Sequence, residues 1–456
     1  MNCTIGIDIG SSSVKAVLFA PEIPEVLKSE NRSLKSRVLS LTPGRFEEDP
    51  NEIRTLVLEV LSVLAQFARA SNHKVNAIAF TGQMHGGLVV DANFQPLTNF
   101  ITWQDKRGDD LAPSGKTFAE ELSQLTTHDP TGVGIHTGFL ITTLYWFYRN
   151  NSFILPDQDV KIIGIYDWLT SILVGRAVTD ISSAAAWGCY DPISFEWRGD
   201  LLDVANLDRR TLPEVAEPGQ DLGVIDRLIA QEIGLDADVH VHASIGDTQA
   251  AYLGSECAKN EVLINIGTGS QSMWEIPRKE KMAATEGTDI RYLGDGRYIA
   301  CAPTLAGGEA YRLLCDFFRE TVRTFAGVEI TGEDAFSTMN RIAEESSSKG
   351  LTFDPIFQGS KFRGDLARGS IQGISVKNFR PGQLTRALVE GMIEEVARPY
   401  FARGEEPRHT GIVGAGGAIR QNSALMLVAE ERLSLPMRLG RFEDEAAVGA
   451  ARLCMS

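Results

Sequence analysis

Apolar and polar positions alternate from the first residues. Thr4-Ile5-Gly6-Ile7-Asp8-Ile9 reads as a strand that leaves Asp8 at its end, and Val14 to Phe19 reads as a second strand. Between them Gly10-Ser11-Ser12-Ser13 forms a tight polar turn. After a charged stretch through Pro50, Ile53, Val57, Val60, Leu61 and Leu64 recur at helical spacing, which predicts a helix over about 51–70. Val75 to Phe80 predicts a strand running into the glycine-flanked loop Thr81-Gly82-Gln83-Met84-His85-Gly86-Gly87, with another strand at Leu88–Val90. Ile101 to Arg107 reads as a short extended piece, residues 118–181 as mainly helical, and Ser182 to Cys189 as small and turn-rich. Val239 to Ile245 predicts a strand that ends in Gly246-Asp247-Thr248-Gln249.

Beyond that point the opening pattern returns. Ile7-Asp8-Ile9-Gly10-Ser11-Ser12-Ser13 and Ile264-Asn265-Ile266-Gly267-Thr268-Gly269-Ser270 share Ile-x-Ile-Gly-[Ser/Thr]-x-Ser, and each leads into a strand. One copy near the start of each half predicts two related domains, 1–243 and 244–456, each offering one hairpin to a common ligand. The second half continues with a helix opened by Leu305-Ala306-Gly307-Gly308-Glu309 and a Gly-rich basic stretch at 354–373. A helix follows over about 381–400, then a strand and glycine turn at Gly411–Gly417, a helix over 421–431, and a small-residue helix at 443–451.

A chain of 456 residues exceeds one ordinary core, in agreement with two domains. Its hydrophobic content of 43% and charged content of 23% are those of a globular protein. A net charge of −16 without a dense Lys/Arg block argues against a nucleic-acid surface. No apolar run reaches the length of a membrane span and the N-terminus shows no leader, so a cytoplasmic protein without a membrane partner is expected. Cys3, Cys189, Cys257, Cys301, Cys315 and Cys454 are scattered without a Cys-x-x-Cys pair, as suits reduced thiols.

The chemistry concentrates in the turns. A carboxylate, a glycine and three hydroxyls within six residues suit a polyphosphate. In that reading backbone N–H groups and hydroxyls bond the oxygens, and Asp8 faces the metal that neutralises them. The alternative, which this stretch alone favours, is a plain hairpin with an Asp and serines in its turn. The run is not a Walker loop, for no Gly-x-x-x-x-Gly-Lys-[Ser/Thr] exists here. Asp247, at a strand-to-helix junction, is either a helix cap or a general base, and the two roles are compatible. Met84 and His85 could orient a polar substrate between glycines, while Trp103, Asp105 and Arg107 offer a ring face beside charged groups. The alternatives are an exposed loop histidine and a strand with a buried Trp and an ion pair. His240 and His242 share one side of a strand, but without a third ligand they make poor evidence for a metal site.

Taken in order, these motifs resemble the FGGY family of carbohydrate kinases over nearly the whole chain. The resemblance rests on Gly6–Ser13, Gly82-Gln83-Met84-His85-Gly86, Trp103-Gln104-Asp105-Lys106-Arg107, Gly246-Asp247-Thr248-Gln249 and Asn265-Ile266-Gly267-Thr268-Gly269. It extends through Gly369-Ser370-Ile371-Gln372-Gly373-Ile374, Gly414-Ala415-Gly416-Gly417 and Glu445–Ala451. It implies an α/β protein of two actin-like, ribonuclease-H-like ATPase domains around a central cleft, the first holding mostly sugar and the second mostly ATP. By the same resemblance Asp247 is the catalytic base and Asp8 the organiser of Mg2+. Gly10, Ser11, Ser12, Ser13, Gly267, Thr268, Gly269, Gly308, Gly414, Gly416, Gly417 and Asn422 would surround ATP. Gln83, Met84, His85, Trp103 and Asp105 would surround a small-molecule sugar.

Gln83-Met84-His85 is similar to members that phosphorylate ketoses rather than glycerol. Trp103-Gln104-Asp105 with Arg107, Thr137-Gly138-Phe139 and Ala184–Gly188 are most similar to those acting on sedoheptulose, with D-xylulose or another ketose or polyol as the alternative. Thr143 stands where many members carry a lysine, a departure shared with the sedoheptulose group. A homodimer is compatible with the resemblance. A rival reading is an actin-like ATP-binding switch protein, which would need no Gln-Met-His or Trp-Gln-Asp segment.

Overall fold

The computed structural model describes all residues except 40–41, 127–133, 152–158, 268, 277–286, 305, 358, 360–366, 403–408 and 456. Thr268 and Leu305 of the sequence reading therefore lie outside the described residues.

The chain divides into two compact units. The first holds Met1–Gly254, Arg291–Tyr298 and Asp444–Ser456; the second holds Ser255–Ile290 and Ile299–Glu443. The expected boundary at residue 243 thus gives way to one at Gly254, with the chain terminus returning to the first unit. Three glycines give the physical reason. A Cβ on Gly6 would lie 1.9 Å from the carbonyl oxygen of Ala447, one on Gly254 1.8 Å from that of Glu445, and one on Gly449 1.9 Å from that of Ala250. Only backbones bare of side chains approach so closely, and the small residues of the C-terminal helix Glu445–Leu453 serve this packing.

In the first unit the strands are β1 (Asn2–Ile9), β2 (Ser13–Ala20) and β3 (Glu25–Ser33), followed by helix α1 (Pro50–Ala70) and strand β4 (Lys74–Gly82). Helix α2 (Ile181–Ala186), strands β5 (Asp221–Val224), β6 (His240–His242) and β7 (Ile245–Gly246), and helix α3 (Asp247–Gly254) complete the part that bears on the site. The sheet order is β5-β6-β4-β1-β2-β3, with β7 also paired to β4. β1 is antiparallel to β2 and parallel to β4, and β4 is parallel to β6. β1 is buried along nearly its whole length, as befits a strand covered on both faces. Helix α1 starts as its sequence predicts: Asp49 accepts the N–H of Asn51, Pro50 takes the first turn, and Ile53, Val57, Val60, Leu61 and Leu64 face the core. The charged stretch after residue 20 contains β3, an antiparallel edge strand that the apolar pattern does not signal.

A second sheet repeats the plan with β8 (Glu261–Ile266), β9 (Ser270–Ile276), β10 (Asp289–Gly294), β11 (Arg297–Thr304), α4 (Gly308–Ala326), α5 (Pro381–Ala402), β12 (Gly411–Ala415), α6 (Ser423–Leu433) and β13 (Met437–Leu439), all in the second unit except Arg291–Tyr298 of β10 and β11. The order is β10-β11-β9-β8-β12-β13. Again the first strand, β8, is antiparallel to its hairpin partner β9 and parallel to β12, which is parallel to β13. The short sequence echo is therefore a repeat of topology: β3-β2-β1-β4-β6 matches β11-β9-β8-β12-β13.

Two local expectations change. Ser182–Cys189 is turn-rich in sequence, yet Ile181–Ala186 is a helix because Asp180 caps it, accepting the N–H groups of Ser182 and Ser183. Ile101–Arg107 is extended only at Phe100–Ile101 and then folds into turns, ending in a short 3-10 helix at Arg107–Asp109.

Candidate active site

The site in the first unit grows out of strand register. Asp8 pairs with Lys15 on β2 and with Thr81 on β4, and Thr81 pairs with Ile245 on β7. The next row is Ile9, Gly82 and Gly246. One residue further, Gly10, Gln83 and Asp247 leave the carboxyl ends of three adjacent strands together, where open α/β sheets place their ligands. Neighbouring strands lie about 4.8 Å apart, so the two outer chains are separated by roughly 10 Å.

Asp247 is the first residue of α3 and is half-buried. Its Oδ1 accepts the Thr248 N–H at 2.6 Å and the Thr248 hydroxyl at 3.2 Å. Burial raises its carboxyl above the usual carboxylate range, while the charge of Arg291 and the two Thr248 bonds pull it back. Asp8 is pushed up to about 7, first by burial and then by the charge of Asp247; Lys15 opposes the rise and Asp444 adds to it. Lys15 itself pairs with Asp444 at 3.2 Å. The hairpin turn closes with the Gly10 N–H donating to the Ser13 carbonyl at 3.0 Å, and Ser11 and Ser12 are exposed beside it.

Gln83 and Met84 are buried at the start of the following loop. Gln83 Nε2 donates to Glu48 at 3.0 Å, and Glu48, which the sequence does not single out, is pushed up to about 7 by burial. Met84 packs on Gly246, where a Cβ would meet its sulfur at 2.5 Å, and the Arg291 guanidinium lies 3.8 Å from that sulfur. His85 adopts φ +72°. Its ring stacks on Phe139 at 4.5 Å, and its Nδ1 donates to the Ala186 carbonyl at 2.7 Å. Because a carbonyl only accepts, this bond leaves the Nε2 of a neutral ring as an acceptor.

Trp103 is 47% exposed and can offer a ring face. Asp105 cannot reach outward in this conformation: it is 0% exposed, and its carboxylate accepts from the Arg107 N–H, the Arg107 guanidinium and the Phe46 N–H. It organises the loop that carries Trp103. His240 and His242 are separately engaged, by Asp221 and by the Gly219 carbonyl, each at 2.8 Å. Among the described residues no cluster of three His, Cys, Asp or Glu could hold a metal by itself.

The second unit holds a cavity of about 850 Å3. Four residues singled out from the sequence line it: Gly267, Gly308, Gly417 and Asn422. Gly269, Gly414 and Gly416 do not. Gly414 packs against Met437, and Gly416 turns the chain at φ +85°, with Asn265 and Ile266 so close that no Cβ would fit. Asn422 also caps α6, accepting from Ala424 at 3.1 Å and Leu425 at 3.4 Å. The aromatic wall of Tyr311 and Phe336, with Asn340 bonded to the Tyr311 hydroxyl at 2.7 Å, goes unnoticed in the sequence. Its only signal is helical spacing, the three-residue step from Gly308 to Tyr311 and the four-residue step from Phe336 to Asn340.

Two copies of one five-strand order, each with a glycine-turned hairpin, define the class: this is a two-domain actin-like ATPase fold. The xylulose kinase of Rhodospirillum rubrum superposes with a TM-score of 0.85 at 24% identity, over 99% of this chain and 89% of that one. Residues 3–254 match the model of the FGGY family of carbohydrate kinases, N-terminal domain. The chain belongs to the FGGY family of carbohydrate kinases. A sedoheptulokinase of Mus musculus is 27% identical over 98% of this chain and 96% of its own length. A xylulose kinase of Staphylococcus epidermidis is 26% identical over 98% of this chain and 86% of its own length.

Proposed function

We propose that the protein transfers the γ-phosphoryl group of ATP to a hydroxyl of a ketose, most naturally sedoheptulose, with Asp247 as the general base. The observation that carries this reading is the placement of Asp247. It stands at the carboxyl end of a strand, one row beyond Gly246, in the same edge as Gly10 and Gln83. Burial raises its carboxyl above the ordinary carboxylate value, the direction that makes it a better proton acceptor. In the proposed step Asp247 takes the proton of the sugar hydroxyl as that oxygen bonds to the γ-phosphorus. The bond to the β–γ bridging oxygen breaks, and ADP leaves with the electron pair.

Asp8 suits a Mg2+ ion that accompanies ATP. A half-buried carboxylate beside a second one, pushed up to about 7 against the charge of Lys15, favours a divalent charge nearby. Mg2+ takes one or two protein carboxylates and fills its remaining positions from phosphate and water. Bound there, the ion would offset phosphate charge. The exposed Ser11 and Ser12 would meet phosphate oxygens, and the second unit's cavity would take the nucleotide between Tyr311, Phe336 and the backbone at Gly308 and Gly417. His85, with Nε2 as acceptor, and Trp103 would meet sugar hydroxyls and a ring face.

Sedoheptulose is favoured over D-xylulose by the sequence features of the sugar-side loops and by the sedoheptulokinase of Mus musculus, which is spanned over 96% of its length. A coupled ADP-release assay over sedoheptulose, D-xylulose, gluconate and glycerol tests the reading. Sedoheptulose should give the highest kcat/KM, and Asp247→Asn should lower kcat at least about 1000-fold with nucleotide binding retained. Preference for xylulose would overturn the substrate assignment, and turnover by the Asn variant would overturn the base. Absence of any sugar-stimulated turnover would favour a nucleotide-dependent switch.

A further inference from the structure

Strand β7 is only two residues long, and its pairing to β4 covers one side of the chain that delivers Asp247. The other side is held by side chains. The Gly246 N–H donates to the Ser182 hydroxyl at 2.8 Å, and that hydroxyl donates in turn to Asp180. Asp180 is 0% exposed and also accepts the N–H groups of Ser182 at 2.7 Å and Ser183 at 3.3 Å, so it caps α2 and orients Ser182 with one carboxylate. Two residues before Gly246, the Ser244 hydroxyl bonds that of Thr170 at 2.7 Å. The far end of α2 reaches the sugar side, where the Ala186 carbonyl accepts from His85 at 2.7 Å.

We infer that Ser182, oriented by Asp180, is a positioning residue for Asp247, and that α2 acts as the spacer between Asp247 and His85. The inference rests on the proposed roles of Asp247 as base and His85 as sugar contact. From Ser182 to Ala186 the helix rises about 6 Å, a fixed length that joins the two groups through one hydrogen bond at each end. Burying an acid is costly, and burial pushes Asp180 up from the ordinary carboxylate value, with Asp167 a second buried acid beside it. A mere helix cap does not require that cost, since exposed caps serve as well. The geometry of proton acceptance does require a rigid base, because a displacement near 1 Å can cost about 100-fold in rate.

The test compares Ser182→Ala, Ser182→Thr and Asp247→Asn in steady-state kinetics with MgATP and the preferred ketose, alongside thermal unfolding. Ser182→Ala should lower kcat at least tenfold and raise the ketose KM, with the KM for ATP within twofold and the protein folded at the assay temperature. Ser182→Thr, which keeps the hydroxyl, should recover most of the loss. If Ser182→Ala does not fold, Ser182→Cys replaces it, keeping the volume while weakening the acceptor. An alanine variant with kcat and ketose KM within twofold of the parent, while Asp247→Asn is inactive, overturns the positioning role and leaves the base intact. Equal losses for Thr and Ala overturn it too, since the hydroxyl would not be the agent. Turnover by Asp247→Asn removes the base assignment itself and is read from that variant alone.

Discussion

The amide of Gln83 donates from Nε2 to the carboxylate of Glu48 at 3.0 Å, and both side chains are buried, at 4% and 6% exposure. An amide nitrogen donates and does not accept, so the Glu48 oxygen facing it is the acceptor of this bond. Among the described residues Oε1, at the other end of the amide, is buried without a hydrogen-bond partner. The pair lies beside the row that delivers Asp247, yet its partners come from segments 35 residues apart.

Stability should depend on the proton at Glu48. Its folded value of about 7 stands above the ordinary 4.5, chiefly through burial. The fold therefore holds the proton more tightly than the unfolded chain does. The contribution is fully present below about pH 4.5 and is lost as pH rises through 7, by an amount up to roughly 3 kcal/mol. Urea unfolding at pH 5.5 and pH 8 should show a smaller loss for Glu48→Gln than for the parent. An equal loss in both would exclude this carboxyl as the source.

Arg291 lies against the sulfur of Met84 and its charge draws the Asp247 carboxyl down against the effect of burial. Arg291→Gln removes that charge, so Asp247 should become harder to ionise. Since a base works only when deprotonated, the acid limb of the kcat/KM profile for the ketose should move toward higher pH. On acidification the variant should therefore begin to lose activity at a higher pH than the parent does. A limb that stays in place, or moves to lower pH, would separate Arg291 from the base.

Gly308 offers a test confined to the second unit. Its N–H donates to the Gly267 carbonyl at 2.8 Å, and a Cβ would lie 2.8 Å from that same oxygen. Gly308→Val must push the two glycine segments apart at the wall of the cavity. The KM for ATP should rise about tenfold, near 1.4 kcal/mol, with the ketose KM within twofold. A change in the ketose KM alone would contradict assignment of the cavity to the nucleotide.

Much of this protein is written locally. The apolar spacing of Ile53 to Leu64, with Asp49 and Pro50 ahead of it, specifies α1 because cap and stripe are both short-range features. The Ile-x-Ile-Gly echo likewise announces two copies of one hairpin, and the placement of Asp8 and Asp247 at strand ends follows from where alternation stops. Long-range packing decided the remainder. That the last helix belongs with the first unit depends on Gly6, Gly254 and Gly449 meeting backbones from other parts of the chain, which their own neighbours do not reveal. Asp105 looks available for a sugar until Arg107 and the Phe46 N–H occupy its oxygens. Glu48, Tyr311 and Phe336 carry no motif, because their positions depend on which distant strand or helix lies beside them. The opening turn and Asp247 were legible because strand ends and glycines act within a few residues. Their electrostatics were not, for burial and neighbouring charge exist only once the strands have come together.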